Sequence, residues 1–205
     1  MPNSFYAKPG KRAVDIAVSA LGIVITSPLL IIAAIAVKLS GPGTVIFRHK
    51  RMGLGFRPFF TYKFRTMVSD ADKRGAAITS SGDARITPIG RVLRKTKLDE
   101  LPQLFNVLKG DMSLVGPRPE VEKYVTMFEN DYRTVLSVRP GITDYAAIEF
   151  RNEEAVLAAY PDPQAAYERE ILPAKIALYK KYISELSFWT DIKILVHTFA
   201  AVIGK

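Results

Sequence analysis

The longest apolar stretch, Ile16 to Val37, runs 22 residues without a charged side chain, enough to match the ~20 residues of a membrane-spanning helix. Thr26-Ser27-Pro28 interrupts it near the centre, and a proline there removes one helix hydrogen bond and clashes with the preceding turn. Two readings stand side by side. One is a kinked spanning helix, which membranes tolerate when serine or threonine re-satisfies the freed carbonyls. The other is a re-entrant hairpin that enters and leaves through the same leaflet. Basic residues flank both ends, Lys8, Lys11 and Arg12 before the run and Lys38, Arg48, Lys50 and Arg51 after it, so both ends have a claim to the cytoplasmic side. No small-residue cleavage site leads into a polar mature start, which argues against a cleaved secretion signal. Asp15, a turn beyond Arg12, is expected at the interface beside that arginine, because an unpaired carboxylate is costly any deeper.

The remaining pattern is that of an α+β, mostly helical chain in a single compact unit. After Gly41-Pro42-Gly43, Thr44 to Phe47 and Phe59 to Phe64 predict short strands, with Gly53-Leu54-Gly55 between them forming a small β-hairpin connection. Asp70 to Asp83 is polar and rich in Gly, Ser and Asp, and is expected to be a mobile loop. Thr87-Pro88 predicts a helix start, threonine capping and proline in the first turn. A second helix is predicted over Asp99 to Leu108, where Leu101, Leu104, Phe105 and Leu108 fall at i, i+3, i+4, i+7. Asp99 is its expected N-cap, and Pro102 is tolerated in the first turn. Helical patterns resume around Glu120 to Asn130 and from Pro163 to Tyr182. Near the C-terminus Trp189, Ile192, Val196, Phe199 and Ile203 recur at helical spacing, with Lys193 and Lys205 off the stripe. That pattern fits an amphipathic helix in a membrane interface and, equally, an ordinary core-facing helix. The division predicted is a membrane element over 1–40 and a soluble body over 41–205.

Composition adds an anionic partner. The 205 residues are 48% hydrophobic and 24% charged, with a net charge of +9 and no cysteine. Disulfides and thiolate metal sites are excluded. The charge suits nucleic acid, a phosphate-rich substrate or an anionic membrane surface.

Candidate chemistry concentrates in Lys97-Leu98-Asp99-Glu100-Leu101-Pro102-Gln103. Adjacent carboxylates at a helix N-terminus are stabilised as anions by roughly 0.3–1 kcal/mol each, and an isolated pair of this kind usually does no more than cap. The neighbourhood changes the picture. Arg94, Lys95 and Lys97 precede the pair, Arg118 stands between two prolines, and Tyr62-Lys63-Phe64-Arg65 and Arg139-Pro140-Gly141 bring further cations. Carboxylates among Arg and Lys suit phosphate esters, the carboxylates recruiting Mg²⁺ and arginine binding phosphate oxygens. No P-loop or dinucleotide-binding glycine pattern is present, and His49 and His197 are read as structural.

The run from Lys97 through Leu104-Phe105-Asn106-Val107-Leu108-Lys109-Gly110-Asp111-Met112-Ser113-Leu114-Val115-Gly116-Pro117-Arg118-Pro119 closely resembles the signature of the monotopic phosphoglycosyl transferases, also called the bacterial sugar transferase family. The likeness extends to Lys11-Arg12 with Asp15, Ser27-Pro28, Tyr62 to Met67, Gly90-Arg91 with Leu93-Arg94, and Arg139-Pro140-Gly141-Ile142-Thr143. The resemblance implies transfer of a sugar 1-phosphate from a UDP-sugar to a polyprenyl phosphate such as undecaprenyl phosphate, with release of UMP, as the first membrane step of glycan, capsule or O-antigen assembly. Asp99 would be the nucleophile, forming an aspartyl phosphosugar, and Glu100 would hold Mg²⁺ with it or assist proton handling. Lys63, Arg65, Arg94, Pro117, Arg118, Pro119, Arg139, Arg151 and Asn152 would form the phosphate and substrate site. The family's apolar run is a re-entrant helix bent at the Ser-Pro pair, here Ser27-Pro28, which favours the hairpin reading and a protein on the cytoplasmic face of the bacterial plasma membrane. Partners implied are the UDP-sugar, polyprenyl phosphate and the lipid bilayer, with no nucleic acid; the oligomeric state is open, a homodimer included.

This sequence departs from the family pattern at Asp144-Tyr145-Ala146-Ala147-Ile148, where a Gly-Trp-Ala-Gln-Val type sequence is common, and at His49, where glutamine is common. Those changes leave the sugar undetermined. The extra N-terminal membrane helices of longer relatives are also missing, the expectation being a minimal catalytic form. A nucleic-acid binder would not explain the uncharged run or the carboxylate pair, and an inactive scaffold would not explain intact Asp99, Glu100 and Arg118.

Overall fold

The computed structural model describes residues 6–71 and 83–203. The loop expected over Asp70 to Asp83 falls almost wholly outside them, as do Lys205 and the side chains of Lys8 and Ile203. Helix α1 (Lys11–Leu39) is followed by an antiparallel hairpin, β1 (Ile46–Met52) with β2 (Pro58–Phe64), in register from Ile46 opposite Phe64 to Met52 opposite Pro58. Then come α2 (Pro88–Thr96), a single 3₁₀ turn at Leu98–Glu100, α3 (Gln103–Lys109) and β3 (Ser113–Val115). The rest is largely helical: α4 (Glu122–Met127), α5 (Glu129–Val135), β4 (Gly141–Thr143), α6 (Tyr145–Glu149), α7 (Glu153–Leu157), α8 (Pro163–Ala166), α9 (Leu172–Ser184) and α10 (Phe188–Ile203). The hairpin is longer on its first strand than the sequence suggested, because Arg48, Lys50 and the other polar residues of β1 lie on a half-exposed surface where alternation, not hydrophobicity, marks a strand.

At 29 residues and 1.5 Å each, α1 is about 43 Å long, and it stays helical through Pro28. Proline at that position leaves the carbonyl of Val24 without its usual donor. The hydroxyl of Ser27 donates to that carbonyl at 2.8 Å, and Thr26 donates to Gly22 O at 2.7 Å. The Thr-Ser-Pro sequence therefore carries its own remedy for the bond it removes. Lys11, Asp15, Ser19, Ala33 and Val37 make the buried stripe, whereas Leu21, Val24, Ile25, Ile31, Ile32 and Ile35 are 55–70% exposed. An apolar surface of this extent is one that water does not leave uncovered.

Both ends of α1 are fastened to the same body. At its start Arg12 donates to Val107 O (2.5 Å) and Leu108 O (2.8 Å), and Lys11 pairs with buried Asp191 of α10. At its end Arg65 donates to Val37 O and Gly41 O, each at 2.8 Å, and to Pro42 O. Between them Gly22 lies against Leu104 of α3. Asp15 is not at an interface beside Arg12, as expected, but 3% exposed: its Oδ1 accepts from Ser113 Oγ and Leu114 N, both at 3.0 Å. A carboxylate that receives two hydrogen bonds at a strand end can be buried where an unpaired one cannot.

The pairing of β3 with β4, parallel and three residues long, has no signature in the sequence pattern. Gly116 and Gly141 make it possible. A methyl group on Gly141 would lie 2.1 Å from Gly116 N, and one on Gly116 2.6 Å from Arg139 O. Bonds of 2.8–3.0 Å cross the seam, from Ser113 N to Pro140 O, Gly141 N to Pro117 O and Gly116 N to Thr143 O. In α10 Asp191 and Ile194 are buried, while Trp189, Val196 and Phe199 are 76%, 59% and 68% exposed. Of the stripe predicted there, Trp189, Val196 and Phe199 face outward and Ile192 is half-buried.

Candidate active site

Helix α2 starts as the sequence predicted, with Thr87 accepting from Gly90 N at 3.0 Å and Pro88 in the first turn. It ends at Lys97, which takes the left-handed conformation (φ 58°, ψ 14°), a cost of about 1–3 kcal/mol for a residue with a side chain. That single turn redirects the chain into the 3₁₀ turn carrying Asp99 and Glu100. Asp99 is not the cap of a helix running to Leu108. It lies inside the turn, 8% exposed, and its Oδ1 has no hydrogen-bond partner. The apolar stripe of α3 is only partly buried: Phe105 is 46% exposed and Leu104 packs against α1 and the core cluster around Val107, while Gln103, Asn106 and Val107 are buried. Asn106 holds this polar face in place, accepting from Tyr62 N at 2.9 Å and donating to Phe60 O at 2.7 Å.

Glu100 collects two of the expected cations. Lys63 Nζ, from β2, lies 2.7 Å from its Oε1, and Arg118 reaches both carboxylate oxygens, at 2.5 and 3.2 Å. Burial pushes the Glu100 carboxyl up, but the charges and hydrogen bonds of Arg118 and Lys63 outweigh it and hold the group well below the usual range. Burial draws Lys63 down, Glu100 opposing and the nearby Arg118 reinforcing it, and Glu100 raises Arg118. Asp99 goes the other way. Burial and then the charge of Glu100 raise its pKa, partly countered by Lys63, Lys97 and Arg94. One carboxylate of the pair is thus fixed as an anion by bonds, and its neighbour is buried, unbonded and destabilised as an anion. That is the condition of a reactive carboxylate.

Arg118 is positioned from behind. Buried Pro117 and Pro119 bracket it, and its backbone N–H donates to Asp144 Oδ2 at 3.0 Å. Asp144 also caps α6 through Ala147 N at 2.6 Å and is fully buried; burial pushes its carboxyl up to about 6 against those two hydrogen bonds. Glu120, next along, accepts from Tyr167 at 2.6 Å and lies 3.6 Å from buried Lys175. The role of Asp144 escaped the sequence reading, although an aspartate just before a short apolar helical run is a capping signal.

The other expected residues are placed variously. Arg94 donates to Thr66 Oγ1 and to Glu154 of α7, each at 3.0 Å, at the rim of the site. Arg151 and Asn152 form the turn leading into that same helix. Arg65 is 7% exposed with its donors on the carbonyls that end α1, and Arg139 Nε donates to Gly110 O at 2.9 Å. Their bonds tie backbone together.

Among the described residues no three metal-ligating side chains converge, so these residues offer no all-protein cage for Mg²⁺. What it offers is an unpartnered Asp99 oxygen beside Glu100. That donor set fits an ion which takes one or two carboxylates and completes its shell with substrate phosphates and water.

Comparison with known proteins supplies a family for the chain. The model of the bacterial sugar transferase family matches residues 6–205. The UDP-N-acetylgalactosamine-undecaprenyl-phosphate N-acetylgalactosaminephosphotransferase of Aeromonas hydrophila is 38% identical over 208 residues, covering 99% of this chain and 45% of the relative. The UDP-glucose:undecaprenyl-phosphate glucose-1-phosphate transferase of Caulobacter vibrioides is 39% identical over 192 residues, 92% of this chain and 67% of the relative. The Escherichia coli protein of that same name is 40% identical over 193 residues, 92% and 39%. The chain thus spans under half the length of two of these relatives.

Proposed function

This chain belongs to the bacterial sugar transferase family, and from that premise we propose that it moves a sugar 1-phosphate from a UDP-sugar to undecaprenyl phosphate and releases UMP. The relatives at 38–40% identity carry names of that reaction with N-acetylgalactosamine or glucose, which supports the reaction class and leaves the sugar open. The observation that carries the mechanism is the buried, unpartnered oxygen of Asp99 beside the Glu100–Lys63–Arg118 cluster.

In the proposed mechanism Asp99 attacks the sugar-bearing phosphorus. The Asp99 O–P bond forms, the P–O bond to UMP breaks, and the electron pair leaves with UMP. An oxygen of the polyprenyl phosphate then attacks the same phosphorus and regenerates the carboxylate. Splitting one displacement in two is the gain of covalent catalysis. Glu100 keeps Lys63 and Arg118 in place, so the cations meet the diphosphate without prior reorganisation. Asp99 and Glu100 would hold Mg²⁺, which when bound neutralises charge on the diphosphate.

The membrane reading follows the same logic. Both ends of α1 are tied to one body while one face of its middle is bare and apolar, and Trp189, Val196 and Phe199 of α10 are bare as well. These features support a re-entrant α1 over the 1–40 element, bent at Ser27-Pro28, with α10 in the interface on the cytoplasmic face of the bacterial plasma membrane. An acceptor whose tail stays in the leaflet then meets the catalytic domain, 41–205, at headgroup depth. The test is UMP release from a panel of UDP-sugars with undecaprenyl phosphate and Mg²⁺, for the wild type and Asp99→Asn. One or more sugars should give UMP with the wild type and none with the variant. Wild-type activity in Asp99→Asn overturns the nucleophile; no UMP from any sugar overturns the reaction class.

A further inference from the structure

Asp144 is a buried carboxylate with no part in the proposed steps. It stands at the junction of β4 and α6 on extended backbone (φ −162°, ψ −172°), closed off from solvent. Its two oxygens serve two different segments. Oδ1 accepts from Ala147 N at 2.6 Å and Oδ2 from Arg118 N at 3.0 Å. The first bond is an ordinary helix cap. The second does nothing for α6; it ties the strand end to the residue whose guanidinium reaches both oxygens of Glu100.

The same strand meets the Arg118 segment at two further points. Gly141 N donates to Pro117 O at 2.9 Å, and Arg118 Nη1 lies 3.5 Å from Ile142 O. Proline has no N–H, so between Pro117 and Pro119 the N–H of Arg118 is the one backbone donor available to hold this stretch. A carboxylate is a stronger acceptor for it than any neutral group.

We propose that Asp144 is a positioning residue for the transfer, its carboxylate fixing the backbone of Arg118 so that the guanidinium meets the donor diphosphate in a set place. The proposal rests on the reading of Arg118 as a phosphate-binding group, and Asp144 acts through it without touching substrate. The charged and titratable groups that act on Asp144 are Arg118 and Lys175 of α9, which favour its anion, with Tyr179 of α9 and Tyr132 of α5. Burial outweighs the two cations and pushes the carboxyl up to about 6. Above that value the bond to Arg118 is charge-assisted; below it the group carries a proton and the assistance is gone. The contribution of Asp144 is therefore present at neutral pH and fades as pH falls through about 6.

The experiment measures kcat/KM for UMP release over about pH 5 to 8, with a UDP-sugar that the wild type accepts, Mg²⁺ and undecaprenyl phosphate, in the wild type, Asp144→Asn and Asp144→Ser. Asparagine keeps the size without the charge. Serine retains an oxygen that can cap α6 and is too short to reach Arg118 as well, so it guards against loss of the helix. At the alkaline end each variant should be about tenfold slower than wild type, the worth of one charge-assisted hydrogen bond, chiefly through a raised KM for donor. The ratio of wild type to variant cancels the titration of Asp99, which all three share, and should approach one as pH drops through about 6. A ratio of one at the alkaline end in either variant, or a ratio that stays constant with pH, overturns the role of Asp144 and leaves the reaction standing. Arg118→Gln tests the premise separately: an unchanged KM for donor in that variant overturns the phosphate-binding reading and the proposal with it.

Discussion

The seam between β3 and β4 fixes Arg118, and Gly141→Ala tests how tightly. The new methyl group would start 2.1 Å from Gly116 N and must retreat to about the 3.4 Å of ordinary contact, a separation of about 1.3 Å. Both sides of the clash are backbone, so no side chain can swing away. The three backbone bonds across the seam, 2.8–3.0 Å long, do not survive that movement. At about 1 kcal/mol net each their loss costs about 3 kcal/mol, which for a chain of this size lowers the melting temperature by about 6–12 °C. One of those bonds holds Pro117 O, immediately before Arg118. A displacement of about 1 Å in a substrate-positioning group costs on the order of 10²-fold in rate. Thermal unfolding in detergent, read alongside UMP release below the new midpoint, measures both effects. A midpoint within 2 °C of wild type, or full activity at it, would show that the two glycines are not under the constraint their backbones describe.

Asp99→Asn should raise the melting temperature at neutral pH while abolishing turnover. The folded-state pKa of Asp99 is raised, so the ionised group costs stability above that pKa, and the cost disappears as pH falls to the ordinary aspartate range. The advantage of the variant should shrink over that window, and a variant less stable at neutral pH would contradict the assignment. Glu100→Gln leaves Lys63 and Arg118 facing each other across a neutral amide. With these side chains only 15–30% exposed, it should cost about 3 kcal/mol and most of the rate, as seen by melting and UMP release; unchanged stability would refute the ionic cluster. Arg65→Met removes the donors that close α1 onto the body and should cost about 3 kcal/mol with the KM for donor unchanged. A raised KM with intact stability would instead assign Arg65 to phosphate binding.

Local rules found much of this molecule. Thr87-Pro88 announced α2, and Ser27-Pro28 announced a proline whose orphaned carbonyl is met by the preceding hydroxyl. The carboxylate pair and the cations Lys63 and Arg118, 37 and 18 residues from Glu100, are one cluster. Tertiary forces overrode the rest. The apolar stripe of α3 suggested a core-facing helix capped by Asp99, but helical periodicity does not say which apolar neighbour a stripe will meet. Here α1 takes Leu104, and the polar face turns inward to build the site. Asp15 looked too costly to bury until a strand end supplied two donors. The β3–β4 pair joins segments 28 residues apart through two glycines, a contact that no window of sequence contains. Arginine is written the same way whether it binds a phosphate or a carbonyl, and Arg65 and Arg139, expected at the phosphate site, donate here to backbone carbonyls.

The covalent step admits a direct measurement. Wild-type protein is incubated with an active UDP-sugar and Mg²⁺ but no polyprenyl phosphate, quenched, digested and weighed. The account predicts one sugar-phosphate mass on the peptide bearing Asp99, matched by released UMP and discharged when undecaprenyl phosphate is added. Product forming at full rate with that peptide unmodified at every quench time would contradict it.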